Sequence, residues 1–195
     1  MEGIDYQATY APTTCLGHVR LALANTARYN LKTHQMDVCT AFVGVDLEEE
    51  IYMHPLQGYF CLFKTGRRYH DPRSKTSWKM VLRLRKFLYG LNQSSHVWYS
   101  TFKDFMMSIG FVPSCVDGGL FVLHEQNQAK VPAAVVLIVA DHLMIANEEL
   151  IGQINDQMKK RFRMHNFRSV SFYLWMNIEH NPELHTIDIH QHSYI

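Results

Sequence analysis

The sequence predicts an α+β fold, an antiparallel sheet with helices packed on one face. Three observations carry that prediction. Segments of helical period and strand-like runs follow one another in the order helix, strand, helix, strand hairpin, helix, strands, and such an order suits two layers around one core. Short polar steps join apolar runs at Ala140-Asp141-His142 and at Asn181-Pro182, as hairpins require. Apolar residues make up 47% and charged residues 19% of 195 positions. That composition forms a core, and the length suits one domain or a domain and a half.

Each element has its own signal. In "TTCLGHVRLALANTARYN" the residues Leu16, Val19, Leu23 and Ala27 recur at helical spacing, with Thr13 or Thr14 as the expected cap. "HQMDVCTAFV" is a short apolar strand that contains one acid, Asp37, and "LEEEIYM" passes from a charged face into another strand. Strands around a basic loop are expected in the segment from Gly58 to Lys86, with Gly66, Pro72 and Ser74 as breakers. "SSHVWYSTFKDFMMSIG" predicts a second helix, capped by Ser94 or Ser95 and ended by Gly110. Its expected buried side is Val97, Phe102, Phe105, Met106 and Ile109. Three strands should follow between Gly118 and Asn147. "EELIGQINDQMKKRFRMH" predicts a third helix with acids first and bases last, as the helix dipole prefers.

A net charge of +1 exerts no strong pull toward nucleic acid. Cys15, Cys39, Cys61 and Cys115 include no C-x-x-C pair, so neither a zinc ribbon nor a disulfide scaffold is indicated. Reduced thiols and the polar, acidic opening "MEGIDYQATYAP" lead us to expect an intracellular protein. The longest apolar run, "VPAAVVLIVA", is too short to span a bilayer. His190-x-His192, with His185 nearby, has zinc-compatible residues, although solvated side chains are the plainer reading.

Two acids interrupt apolar strands, Asp37 and Asp141. A buried carboxylate costs several kcal/mol, roughly, unless it is paired or metal-bound. A turn cap or an ion pair accounts for a lone acid. Two acids on neighbouring strands, one at a hairpin tip, point toward a shared metal site.

At these residues the chain resembles the reverse transcriptase domain of copia-type retrotransposon polyproteins. The matching stretches are "GIDYQATYAP", "VRLALANTA", "HQMDVCTAF", "DLEEEIYM", "VLRLRKFLYGLNQSSHVWYSTFKDFMMSIGF", "LIVADHLMIA" and "IDIHQHSYI", in the family's order. They run along nearly the whole chain, apart from the loop at residues 60–78, which looks insertion-like. The resemblance implies a palm-like sheet, as in right-hand reverse transcriptases, that holds magnesium on three aspartates. The first falls on Asp37. The Tyr-Val-Asp-Asp hairpin falls on Ile138 to Asp141, so that Ala140 stands where the first of its two acids belongs. The family match thus places catalytic and metal-binding roles on Asp37 and Asp141. Phe42 resembles the aromatic gate that excludes a ribose 2′-hydroxyl, and Gly90 the glycine where backbone approaches nucleotide and template. The plainer readings are core packing for Phe42 and a turn for Gly90.

The sequence departs from the family at Asn92 (usually Lys), His96 (Arg), Asn166 (Asp), Arg168 (Gly) and Trp175 (Gly). Several of these changes need one transition in a codon, which also offers a source for the twelve histidines. His142 can replace the lost acid only poorly, because imidazole suits zinc, copper or nickel better than magnesium. The expectation is therefore a palm/fingers fragment spanning residues 1–195, without the family's basic fingers strand, thumb-like connection and ribonuclease H. Its ancestral reaction is RNA-directed DNA synthesis, a nucleotidyl transfer from deoxynucleoside triphosphates on a template-primer. The loss at Ala140 implies weak magnesium binding and no catalysis. The alternative is a domesticated, non-enzymatic module that binds nucleic acid or a protein.

Overall fold

The computed structural model describes residues 9–39, 41–47, 49–55, 67–70, 78–123, 133–138 and 141–192; for 67–70, 78–80, 133–138 and 165–168 it describes the backbone alone. The described residues form a mixed α+β structure. Its helices are α1 (Leu16–Tyr29), α2 (Ser94–Ser108) and α3 (Glu148–Arg161).

The largest sheet is wholly antiparallel. Its strands are β1 (Lys32–Val38), β5 (Phe111–Pro113), β6 (Leu120–Leu123), β7 (Ala133–Ile138), β8 (Asp141–Ala146) and β9 (Met164–Ser169), in the order β5-β6-β7-β8-β1-β9. The expected three strands between Gly118 and Asn147 are β6, β7 and β8. A second sheet joins β10 (Phe172–Tyr173), β11 (Met176–Asn181) and β12 (Thr186–His190), and the turn between β11 and β12 contains Pro182. A third sheet orders β2 (Tyr52–Met53), β4 (Trp78–Arg83) and β3 (Arg67–His70) as β2-β4-β3. The insertion-like loop thus contains a strand, β3, paired with β4; residues 60–66 and 71–77 lie outside the described residues.

The helices do not share one face of the sheet, which corrects the expectation. On β8, Met144 and Ala146 join a core with Trp98, Phe102 and Met106 of α2 and Ile151, Ile154 and Met158 of α3. Leu143 and Ile145 join a separate core with Val19, Ala22 and Leu23 of α1 and Tyr173, Met176 and Ile178 of the second sheet. Successive strand residues point to opposite faces. A strand that is apolar at every position therefore needs cover on both sides, and β8 is buried from His142 to Ala146.

The helix ends also differ from expectation. Cys15, not a threonine, occupies the N-cap of α1, and it makes no side-chain cap bond. Leu16 is exposed, whereas Val19, Ala22, Leu23 and Thr26 form the buried stripe. Gln93 caps α2, while the Ser94 hydroxyl donates to the Leu88 carbonyl at 2.7 Å. Trp98, on the buried stripe of α2 and absent from the expected list, is 2% exposed. Gly110 does end this helix, at φ +95°. Helix α3 begins as expected, with Asn147 Oδ1 accepting from the Leu150 N–H at 2.8 Å. It stops four residues early because Phe162 turns extended and packs against Trp98 at 5.2 Å and Phe105 at 5.1 Å between ring centres. "MHNFR", expected as the end of the helix and a turn, is instead the start of β9.

Candidate active site

Strand β1 carries Asp37 between Met36 and Val38, both of which face the α2–α3 core. Alternation turns the Asp37 side chain to the opposite face. On β8, His142 and Met144 are buried, and Met144 faces the α2–α3 core, so Asp141 points with Leu143 toward the α1 side. The two acids are direct cross-strand partners in the β1–β8 register. Directly opposed residues in an antiparallel pair have Cβ atoms about 4.5–5.5 Å apart. Both positions are exposed at the strand ends. The structure therefore brings Asp37 and Asp141 together.

The carboxyl of Asp141 is held above the ordinary carboxylate range. Partial burial is the first cause and the neighbouring charge of Asp37 the second, against a hydrogen bond from Gln35 that works the other way. Gln35 lies two residues before Asp37 and shares its face. The sequence reading passed over Gln35, although the i, i+2 spacing was the available signal. Tyr173, buried in the hairpin sheet, is raised well above its ordinary value, first by burial and then by the charge of Asp141. Its hydroxyl has no hydrogen-bond partner among the described residues. On the far side of Asp37, β1 meets β9 through an irregularity between Gln35 and Asp37. Val139 and Ala140 lie outside the described residues.

His142 is fully buried, with its ring 4.3 Å from that of Phe102 and 6.3 Å from that of Trp98. It belongs to the helix-packed face and points away from the two carboxylates, so it does not join them as a ligand. His190 pairs with Glu179 at 3.0 Å and stacks on His192. His185 instead places Nδ1 3.3 Å from the Ala27 carbonyl of α1.

Phe42 follows β1 through a turn, is 5% exposed and packs in the α2–α3 core. Its ring meets Tyr89 edge-on with centres 4.6 Å apart. Tyr89 directly precedes Gly90, so this exposed tyrosine, which the sequence reading missed, links the two candidate substrate residues. Gly90 adopts φ +96° and a Cβ there would meet nothing within 4 Å. The backbone conformation, with no crowding from this chain, is what asks for glycine. The loop is held in place by Phe87 N–H donating to Val45 O, Leu47 N–H donating to Arg85 O, and Gln93 donating to Glu49 at 2.7 Å.

Two departures from the family pattern take on structural content. His96 Nδ1 lies 2.6 Å from the Tyr10 carbonyl and so helps tie the N-terminal segment to α2. Leu174 and Trp175 form the two-residue turn between β10 and β11 at φ +49° and +63°. That left-handed pair suits Asn-Gly, and neither residue present favours it. Trp175 is 68% exposed.

The sequence profile of the reverse transcriptase (RNA-dependent DNA polymerase) family matches residues 1–195. Among curated proteins, the retrovirus-related Pol polyprotein from transposon TNT 1-94 of Nicotiana tabacum is 28% identical over 196 residues, which cover 100% of this chain and 14% of the polyprotein. The Pol polyproteins from transposons RE1 and RE2 of Arabidopsis thaliana are 28% and 26% identical, over 92% and 93% of this chain and 11% of each polyprotein. The chain therefore spans a small part of the relatives it matches. Among the described residues, no helix is long and apolar enough to cross a membrane. With the whole sequence matched and its motifs in order, the chain belongs to the reverse transcriptase (RNA-dependent DNA polymerase) family, as a domain of the kind found in retrotransposon Pol polyproteins.

Proposed function

We propose that this chain is a copia-type reverse transcriptase palm and fingers domain whose metal site is one carboxylate short, and that it does not polymerise DNA. The observation that carries this reading is the pairing of Asp37 with Asp141 across β1 and β8. Two oxygen-donor groups at that spacing suit magnesium, which takes carboxylates and water in octahedral geometry. The charge of Asp37 that raises the Asp141 carboxyl is the repulsion a dication relieves. Bound there, magnesium would supply activation of a primer hydroxyl and stabilisation of the departing pyrophosphate.

The protein's own groups would do the rest. Asp37 and Asp141 hold the metal, and Gln35 orients Asp141. Phe42, backed by Tyr89, limits room beside the sugar of a deoxynucleoside triphosphate. Gly90 lets the backbone approach the nucleotide and template. Ala140 provides no oxygen ligand at the position of the third acid, and His142, turned into the core, does not replace it. Positioning and charge stabilisation supply most of the acceleration in such a transfer. Loss of a central ligand, a bulky Trp175 at the primer-side turn and Arg168 in place of glycine therefore remove activity together.

Primer extension on an RNA template with magnesium tests this. The chain and its Ala140→Asp variant should both give no product. Activity should return first in Ala140→Asp combined with Arg168→Gly and Trp175→Gly, and Asp37→Asn should abolish it again. Extension by the unaltered chain would overturn the inactive reading. Extension by Ala140→Asp alone would show a nearly intact enzyme with one ligand switched off.

A further inference from the structure

Cys15, His18 and Asp117 bring a thiol, an imidazole and a carboxylate together away from the Asp37–Asp141 pair, with their ligand atoms all within 4.8 Å of one another. Cys15 and His18 stand three residues apart at the start of α1, a spacing that puts both on one side of the helix. Asp117 lies in the connection between β5 and β6. Cys15 Sγ is 3.3 Å from His18 Nδ1, and Asp117 Oδ2 is 2.6 Å from the same nitrogen.

The local packing explains the meeting. A Cβ on Gly119 would fall 2.5 Å from the Thr14 backbone nitrogen, so only glycine lets the two segments lie this close. The Tyr99 hydroxyl donates to Gly118 O at 2.9 Å. Asp117 Oδ1 accepts from the Gly119 N–H at 2.9 Å and Oδ2 from the Cys15 N–H at 3.1 Å. The carboxylate is thus oriented from behind, as metal-ligating carboxylates are. Its side chain is only 8% exposed.

Cysteine, histidine and aspartate also make up nucleophilic relays. A relay places the nucleophile on one ring nitrogen and the acid on the other. Here both approach Nδ1, so the imidazole cannot pass a proton between them. The three ligand atoms instead lie close enough together for one cation to bridge them.

We propose that Cys15, His18 and Asp117 form a binding site for a zinc-type divalent transition ion, with the fourth position open to water. Thiolate and imidazole select such an ion over magnesium, so this site is chemically distinct from the oxygen-only pair at Asp37 and Asp141. Tetrahedral bonds of about 2.0–2.3 Å put ligand atoms roughly 3.3–3.6 Å apart. The sulfur–nitrogen pair already has that separation, and the nitrogen–oxygen pair must open by roughly 0.7 Å. On binding, the thiol S–H breaks and its proton passes to solvent, the neutral His18 ring carries its single N–H on Nε2 and offers the Nδ1 lone pair, and bonds from the ion to sulfur, nitrogen and oxygen form. The positive end of α1 opposes a cation; the thiolate and carboxylate offset it. The bound ion clasps the start of α1 to the β5–β6 connection.

Cobalt(II) is the probe, because thiolate ligation gives it a sulfur-to-metal charge-transfer band. Titration of the reduced 195-residue chain should load one ion per chain with that band, and zinc should displace it. Cys15→Ser should abolish the band and Cys115→Ser should keep it, with circular dichroism confirming the fold of both. Cys15 is exposed, so the serine disturbs little packing. His18→Ala should weaken binding by more than the roughly 10–100-fold that loss of an outer-shell partner costs. Absence of the band, its survival in Cys15→Ser, or its loss in Cys115→Ser would overturn the site.

Discussion

Asp117, in the β5–β6 connection, and Asp141, at the start of β8, are acids of one sheet, and their surroundings drive them in opposite directions. Asp117 is nearly covered, and burial alone would raise it; the bonds from His18, the Cys15 N–H and the Gly119 N–H, with the charge of His18, outweigh that and hold it below the ordinary range. Asp141 is exposed by area, yet enough protein surrounds its carboxyl for desolvation to be the first cause of its rise, and Asp37 adds a like charge. A carboxylate surrounded by donors stabilises the fold. One placed against another carboxylate costs stability until a cation arrives, and folds tolerate that cost where chemistry requires it.

The comparison breaks most visibly at Asp117. Asp117→Ala removes an acceptor that three groups use, two of them backbone N–H donors left in a covered site. Hydrogen bonds to charged groups contribute about 1.5–3 kcal/mol. We expect a net loss of about 2–3 kcal/mol, seen as a fall in melting temperature of about 4–12 °C for a chain of this length. An unchanged melting temperature would show that the α1 start is held by Gly119 packing and not by Asp117.

The next effect belongs to the hairpin that carries Tyr173 beside Asp141. Left-handed backbone costs an ordinary residue roughly 1–2 kcal/mol, and Leu174 and Trp175 both adopt it. Trp175 recovers part through its edge contact with Phe172, 6.3 Å between ring centres. Leu174→Asn with Trp175→Gly should therefore raise stability by about 1–2 kcal/mol in denaturant titration. A loss would mean that the tryptophan's packing outweighs the turn.

How much of this was legible in the sequence depends on the range of the interaction. Helical and strand periods are local, and they located the three helices among the described residues and four of the large sheet's six strands, but not β5 or β9. Asp37 and Asp141 stood out because acids interrupt apolar runs, and the family resemblance attached roles to Phe42, Gly90 and the position of Ala140. The cover on both faces of β8 was not legible, because "HLMIA" reads the same whichever face each residue takes. Nor was the early end of α3, which Phe162 sets by turning into the core. The Cys15–His18–Asp117 group depends on a glycine contact that joins segments about a hundred residues apart. Nothing in the composition near Leu174 signals a left-handed turn.

A smaller effect separates the two acids by pH. Asp117 has a folded pKa below its ordinary value of 3.8. Its contribution is present above the unfolded value and is lost as pH falls through the folded one. Asp141 has a folded pKa above 3.8. Its ionised form is the less favoured in the fold, so its contribution is present at low pH and is lost as pH rises through the folded pKa. Asp141→Asn should stabilise the protein at neutral pH by roughly 0.2–1 kcal/mol, the scale of a cross-strand charge pair. That gain should shrink on acidification, whereas the deficit of Asp117→Asn should shrink only in stronger acid. Parallel curves for the two variants would erase the distinction between the sites.

The smallest expected effect is that of magnesium on the unaltered chain. A ligand stabilises the folded state by RT ln(1 + [L]/Kd), so a dissociation constant at or above a millimolar working concentration yields at most about 0.4 kcal/mol. Asp37 and Asp141 attract a dication, but without a carboxylate at position 140 the shell around it is mostly water, and little of its hydration energy is replaced. The melting temperature should therefore rise by no more than about 1–2 °C at millimolar magnesium. Asp37→Asn should remove even that, since one carboxylate remains. Ala140→Asp should enlarge the shift, because the third charge deepens both the repulsion in the free protein and the attraction for the ion. This measurement reads binding without requiring catalysis, so it isolates the ligand set from the Leu174–Trp175 turn. A large shift in the unaltered chain, abolished by Asp37→Asn, would show that the pair still forms a working metal site, and the proposed inactivity would then have to rest on Trp175 or Arg168 instead.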